Sequence, residues 1–118
     1  MAPARTLPLL LLGLSLGLTP GPARAASFAC AKAETPDETA ICRTLALNDL
    51  DVEMAVRFAI LKDLLPMGNR SRLQDDQEAW LSERRACTAD VACLTQAYET
   101  RLTVLRGVFS EFAKQGPQ

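Results

Sequence analysis

The chain contains 118 residues, with 13 basic side chains, 14 acidic side chains, four cysteines and no histidine. That length suits one domain and excludes a multidomain enzyme. The lack of histidine removes the usual general base near neutral pH and the commonest metal ligand. The formal net charge of −1 is unlike the basic surplus of nucleic-acid-binding domains. We therefore expect one small domain that does not bind nucleic acid.

Residues 1–25 have the pattern of a secretory signal peptide. Arg5 precedes residues 7–18, an uncharged segment with eight leucines, and Ala23-Arg24-Ala25 supplies the small residues that signal peptidase recognises. The segment is shorter than the roughly 20 apolar residues that span a bilayer, although a membrane anchor is the main alternative. We predict cleavage after Ala25, within a residue or two, and a periplasmic or secreted protein that is not attached to the membrane.

Removal of this leader changes the composition of the chain. Residues 26–118 form a mature chain of 93 residues, with 11 basic and 14 acidic side chains and a net charge of −3. Only three prolines and three glycines remain, while alanine and leucine are abundant, which favours long helices over many short strands. The mature chain is therefore predicted to be acidic and helical.

Two helices are predicted in the first half of the mature chain. Thr35 suits the N-cap, Pro36 suits the first helical position and Glu38 completes a capping box, so a short helix is predicted to run to about Leu45. Asn48 or Asp49 is expected to cap a second helix, which ends before residues 66–69. Its apolar face follows steps of three and four residues through Leu50, Met54, Phe58, Leu61 and Leu65.

Two further long helices are predicted in the second half. Ser71-Arg72-Leu73-Gln74 is a second capping box, which is expected to open a helix after a loop over residues 66–72. The neighbouring turns of this helix carry Leu73, Gln77, Trp80, Leu81 and Arg84. The last helix has the longest apolar stripe, formed by Val91, Leu94, Tyr98, Leu102, Leu105, Phe109 and Phe112.

These stripes are explained best by core packing, with partner binding as the alternative. Amphipathic helices joined by short turns bury their apolar faces against each other. The fold class predicted from the pattern is all-α, a small antiparallel bundle of three long helices and a short N-terminal helix.

Four cysteines in an exported chain of this size indicate a disulfide framework. Of the three possible pairings, we predict Cys30–Cys42 and Cys87–Cys93. The first bond attaches the N-terminal segment to the first helix. The second requires a turn at residues 88–90, because six residues of continuous helix would separate the two Cα atoms by about 9 Å, beyond the limit of about 7 Å. A zinc site or redox dithiol would show closer cysteine pairs, so no metal or cofactor is predicted.

No residue pattern in the chain indicates catalysis. Gly-x-Ser-x-Gly and phosphate-binding glycine loops are absent from the sequence. Asp75, Asp76 and Glu78 form the densest acidic cluster, but adjacent helical side chains diverge by about 100° and do not easily flank one bond. We interpret these acids as favourable charges near a helix N-terminus. The protein is predicted not to be an enzyme and to have no catalytic residues.

A set of spaced residues extends through the mature chain. Its first part consists of Cys30, Ile41-Cys42 and the run from Leu47 to Asp51. Its second part consists of Gln77, Trp80-Leu81, Arg84, Cys87, Cys93-Leu94, Tyr98 and Arg101. In this order and spacing the chain resembles the LprI family of bacterial envelope proteins over nearly all of residues 28–105. The resemblance implies an all-helical periplasmic domain with two disulfides and, for some members, inhibition of lysozyme.

The chain departs from the pattern of this family in three respects. Phe58 stands where a tyrosine is usual, so one hydroxyl group is lost. Arg85 replaces the asparagine or aspartate that often follows the family arginine. The founding member is a lipoprotein, whereas Cys30 lacks the leucine expected three positions before a lipidated cysteine. A lipid anchor is therefore not predicted.

The shared residues are interpreted as mainly structural. Four of them are expected in the core beside Cys87–Cys93, namely Trp80, Leu81, Leu94 and Tyr98. Three charged residues are expected to form ion pairs that fix the helix register, namely Asp51, Arg84 and Arg101. The functional surface is then expected among the remaining residues.

Two functional hypotheses remain open. The first is a periplasmic inhibitor that binds lysozyme and blocks its cleft, with its acidic charge favouring encounter with the commonly basic lysozymes. Its candidate binding residues are Arg70 and Arg72 in the predicted loop, or the acidic group Asp75, Asp76 and Glu78. The second is a non-inhibitory binding or scaffold module of the cell envelope with an unidentified partner.

Overall fold

The computed structural model describes residues 1–3 and 26–116, and the predicted signal peptide lies outside this range apart from its first three residues. A short 3-10 helix at Cys30–Lys32 precedes four α-helices: α1 at Pro36–Arg43, α2 at Leu45–Leu64, α3 at Met67–Ala86 and α4 at Val91–Lys114. The described part contains no β-strand. The predicted all-α class, with three long helices and one short N-terminal helix, is therefore confirmed. Within this range, no helix has the length and apolar character needed to span a bilayer.

The helix α1 begins where the sequence predicts. Pro36 occupies the first helical position, and the carboxylate of Glu38 accepts hydrogen bonds from the backbone N–H groups of Thr35 and Glu34 at 3.3 and 2.9 Å. These bonds satisfy donors that the helix itself leaves without partners. The capping box thus fixes the start of α1.

The helix α2 begins three residues before its predicted cap. Thr44 alone is extended between α1 and α2, and the N–H of Asn48 donates to the carbonyl of Thr44 at 3.0 Å within the first turn. Leu47 is fully buried, and Asn48 is itself buried. The prediction of Asn48 or Asp49 as the cap is wrong, because burial of Leu47 extends the helix back by one turn.

The helix α3 also begins earlier than predicted, and residues 67–72 are not a loop. The N–H of Arg70 donates to the carbonyl of Pro66 at 2.9 Å, while Ser71 Oγ donates to the carbonyl of Met67 rather than capping a later turn. Pro66 ends α2 because its nitrogen has no hydrogen to donate to the preceding turn. It is compatible with the start of α3, because the residues at a helix N-terminus donate no hydrogen bond within the helix. The linker is therefore only the Leu65-Pro66 pair.

The two predicted disulfides are both present. Cys30–Cys42 joins the 3-10 helix to α1 and Cys87–Cys93 crosses the turn between α3 and α4, with Cα atoms 5.7 and 5.5 Å apart. Asp90 caps α4, since its Oδ1 accepts a hydrogen bond from the Cys93 N–H at 3.0 Å. The chain therefore reverses at the turn that the pairing requires.

The core lies mainly between α2 and α4 and is completed by α1 and α3. The stripe predicted on α4 supplies four buried side chains, and every helix contributes to a single cluster: Ile41, Leu47, Met54, Leu61, Leu65, Leu73, Trp80, Cys87, Leu94, Tyr98, Leu102 and Leu105. Leu50 and Phe58 of the predicted α2 stripe are only partly buried against it. The opposite face of α2 is also apolar, with Val52, Val56, Ile60 and Leu64 between 42% and 52% exposed.

The turn between α3 and α4 contains a strained residue. Thr88 has a φ of 52°, in the left-handed region that disfavours side chains with a Cβ atom. Its hydroxyl donates to the Cys87 carbonyl at 2.7 Å.

We expect Thr88→Gly to be more stable than Thr88→Ala by about 1 kcal/mol, because both variants lose this hydrogen bond and only glycine relieves the backbone strain. Urea unfolding followed by the fluorescence of Trp80, the single tryptophan, tests this, and equal stabilities would contradict it.

Candidate functional site

Four ionisable side chains from all four helices meet in the interior, and we call them the Arg84 cluster: Asp37, Asp51, Arg84 and Tyr98. Arg84 Nε donates to Asp37 Oδ2 at 2.9 Å, and Arg84 Nη1 lies 3.8 Å from Asp51 Oδ1. The Tyr98 hydroxyl donates to Asp51 Oδ1 at 2.8 Å and lies 3.4 Å from Arg84 Nη1. All four residues are at most 4% exposed. The cluster therefore links the helices through one guanidinium group.

The pKa values within the Arg84 cluster follow from burial and mutual contact. Burial alone would raise the pKa of Asp37, but hydrogen-bond donors at the start of α1 and the charge of Arg84 outweigh it and lower that pKa. Burial would lower the pKa of Arg84, whereas Tyr98 and Asp37 raise it. Burial and the nearby Asp51 raise the pKa of Tyr98. Tyr98 therefore stays neutral and Arg84 stays charged at physiological pH.

Aromatic rings enclose the guanidinium group of Arg84. Its central carbon lies 6.0 Å from the ring centre of Phe28 and 5.8 Å from that of Trp80. Trp80 packs edge-to-face on Tyr98, with 5.2 Å between ring centres, and donates to the Ala97 carbonyl at 3.0 Å. Such packing is favourable for a cation that is shielded from water.

Arg101 lies in the interior but does not form the ion pair expected for it. Its Nε donates to Gln77 Oε1 at 2.9 Å, and Gln77 Nε2 points at the sulfur of Met54 at 3.1 Å. No carboxylate in the described range lies within 4 Å of Arg101. Burial lowers its pKa, although Asp76 and Glu83 partly oppose this. The helix register is therefore set here by a neutral amide partner.

The buried polar residues form hydrogen bonds with one another inside the bundle. Their hydrogen bonds run between helices, and the Arg84 cluster has almost no contact with solvent. Within residues 1–3 and 26–116, no three side chains of the metal-ligating types come together in a possible metal site. The Arg84 cluster is therefore not accessible to a partner in this structure.

A groove is formed where the start of α3 faces the end of α4, and we call it the α3–α4 groove. It has a volume of about 250 Å³. Its apolar lining comes from Leu65, Leu73, Val108 and Phe112, and its charged lining comes from Arg72, Asp76 and Glu111. Gly107 also borders the groove, and a Cβ atom added to it would have open space within 4 Å. The groove is thus an apolar concavity with charges of both signs around it.

The structure separates the five partner-binding candidates. Arg72 and Asp76 are one helical turn apart on α3 and both line the α3–α4 groove. Arg70 instead donates to the Leu65 carbonyl at 3.3 Å. Asp75 and Glu78 are exposed outside the groove, and Glu78 accepts a hydrogen bond from Gln74 at 3.2 Å. The acidic group is therefore not one patch.

Sequence reasoning missed two sets of residues. The first is Asp37, the main partner of Arg84. The sequence does not indicate this contact, because an acidic residue in the first turn of a helix is already favoured by the helix dipole. The second set consists of the groove residues Val108, Glu111 and Phe112. The sequence does not indicate a groove here, because the apolar spacing of α4 predicts only core packing. The only signal available was that Phe112 extends this stripe beyond Gly107.

Comparisons with known proteins identify a family. The family model described as lysozyme inhibitor LprI matches residues 30–112. This range includes both disulfides, the whole Arg84 cluster and nearly all of the α3–α4 groove. No curated protein and no solved structure matches the chain.

Proposed function

The chain belongs to the LprI family, and we propose that it is an exported inhibitor that binds lysozyme and blocks its cleft without doing chemistry. The match over residues 30–112 carries this proposal, because the family is described by that activity and the match covers all four α-helices except the last two residues of α4. The buried ionisable groups support binding rather than catalysis, since they contact each other inside the bundle.

Two properties support action outside the cytoplasm. All four cysteines are in disulfides, which persist in oxidising compartments such as the periplasm. Residues 1–25 have the sequence pattern of a signal peptide. Lysozyme acts on the cell wall, so an inhibitor exported to this compartment would meet its target there.

We place the contact with lysozyme at the α3–α4 groove. Val108 and Phe112 offer an apolar surface for the carbon atoms of a lysine or arginine side chain, and Asp76 and Glu111 offer carboxylates for its charged end. Lysozymes are commonly basic, and the mature chain has a net charge of −3, so encounter would be favoured by steering. Arg72 on the same groove would pair with an acidic side chain of the enzyme.

Inhibition is tested with the purified mature protein in a cell-wall lysis assay. We expect micromolar protein to slow lysis by at least one type of lysozyme, and salt to weaken the effect because charge contributes to the encounter. Unchanged lysis rates with every lysozyme type at this concentration would contradict the proposed function.

The groove is tested by a pair of matched charge reversals. Asp76→Lys places a positive charge in the α3–α4 groove, and we expect it to weaken inhibition at least about tenfold through like-charge repulsion. Asp75→Lys changes the net charge equally on the same helix turn but outside the groove, and we expect less than about a threefold loss, which reports steering alone. Equal losses from both variants would contradict the assignment of the groove, while inhibition by the unaltered protein would still stand.

A further inference from the structure

A buried carboxylate holds the first described residues of the mature chain on the core. The backbone N–H of Ser27 donates to Asp51 Oδ2 at 2.6 Å, and Asp51 is fully buried. Ala26 and Phe28, on either side of Ser27, pack against the hydrophobic core. Residues 26–28 are therefore part of the packed structure.

The interior around Asp51 has more carboxylates than cations. Asp37 and Asp51 share the single guanidinium of Arg84, and no other cationic side chain of the described residues lies within 4 Å of either. Arg101, the other buried cation, donates to Gln77 instead. Since a buried charge is unfavourable unless it is compensated, this interior would be stabilised by one more cation.

We infer that Asp51 is a binding site for a protonated amine, and that its ligand is the α-ammonium group of the mature chain. The inference rests on removal of residues 1–25, as the sequence predicts. Signal peptidase would hydrolyse the bond between Ala25 and Ala26 with one water molecule, leaving a carboxylate on Ala25 and an amine on Ala26. An α-amine has an ordinary pKa of about 8 and is therefore mostly protonated at neutral pH.

The position of the new amine suits this role. It is one residue before the Ser27 N–H that donates to Asp51, and consecutive residues are only about 3.8 Å apart along the chain. In the precursor the same nitrogen is an uncharged amide. Cleavage of the leader therefore adds the missing cation to the interior and stabilises the fold, whereas the precursor lacks this contribution during export.

The inference is tested on protein that is exported, processed and purified from the periplasm, with its N-terminus determined by mass spectrometry. The altered chain has a glycine and a serine inserted between Ala25 and Ala26, which moves the ammonium group away from Asp51. We expect this insertion to lower the thermal midpoint by about 5 °C. In an Asp51→Asn background the same insertion should lower it by less than about 2 °C.

The outcomes separate charge from steric effects. An equal loss in both backgrounds, no loss in either, or a mature N-terminus distant from Ala26 would each overturn the inference. If Asp51→Asn does not fold, the pKa of the α-amine is measured by NMR in the unaltered processed protein and in the insertion variant. A pKa raised above the ordinary value in the former alone supports the inference, and equal values overturn it.

Discussion

Replacing Arg84 by methionine is expected to lower the free energy of unfolding by about 3–5 kcal/mol, the largest effect of any single substitution proposed for this protein. The guanidinium group lies within 4 Å of both Asp37 and Asp51 and is 5% exposed. Its removal leaves Asp37 without its cationic partner and takes the guanidinium group away from Asp51, and the methionine side chain offers neither carboxylate a donor. Unfolding in urea, followed by the helical circular dichroism signal, measures the loss.

A matched control lies on the next residue. Arg85 is exposed in the same helix turn, so Arg85→Met should change stability by no more than about 0.5 kcal/mol. A sharper test uses one substitution whose effect on the free energy of unfolding should have opposite signs in two backgrounds. Asp37→Asn should destabilise the unaltered protein, because Arg84 loses its closest partner, but stabilise the Arg84→Met variant, because an unpaired buried charge is removed. The same sign in both backgrounds would contradict the role given to Arg84.

The fold was largely predictable because its main elements depend on local patterns. Steps of three and four residues located the buried side chains Leu94, Tyr98, Leu102 and Leu105 on α4 correctly. The last part of this stripe is less buried than its spacing predicts. Phe109 follows the same spacing but is half exposed, beside a concavity that Ile60 and Leu61 also line.

The errors arose where helices begin and where one helix is apolar on more than one side. The sequence pattern predicts the starts of α2 and α3 too late. Asn48 and Ser71 are residue types that cap helices, but each lies inside a helix that begins about one turn earlier. On α2, the exposed residues Val52, Val56 and Ile60 repeat at helical spacing just as the buried Leu47, Met54 and Leu61 do. Periodicity alone does not decide which of two apolar faces is buried.

The candidate sites were the least predictable features because they depend on long-range packing. Asp37 and Arg84 are 47 residues apart in sequence, as are Asp51 and Tyr98. The sequence therefore identified three of the four members of the Arg84 cluster but could not assign their partners. The α3–α4 groove combines Leu65 after α2, Arg72 and Asp76 on α3, and Phe112 on α4. Its existence follows only from the relative placement of three helices.

Removal of both disulfides is expected to unfold the protein at 37 °C. The bonds span 12 and 6 residues, and loop-closure entropy assigns about 3 and about 2 kcal/mol to them. Their sum of about 5 kcal/mol equals the whole stability of many small domains. The Cys30–Cys42 bond also holds the 3-10 helix close to the segment in which Ser27 reaches Asp51, so its loss should weaken that contact as well.

Paired serine substitutions measure these contributions. Cys87→Ser with Cys93→Ser should lower the thermal midpoint less than Cys30→Ser with Cys42→Ser, and the variant with all four serines should show little helical signal at 37 °C. Reduced unaltered protein should behave like the fourfold variant, which controls for the serines themselves. A reductant that leaves the thermal midpoint unchanged would contradict this prediction. If the protein inhibits lysozyme through the α3–α4 groove, as proposed, inhibition should be lost on reduction in parallel with the helical signal.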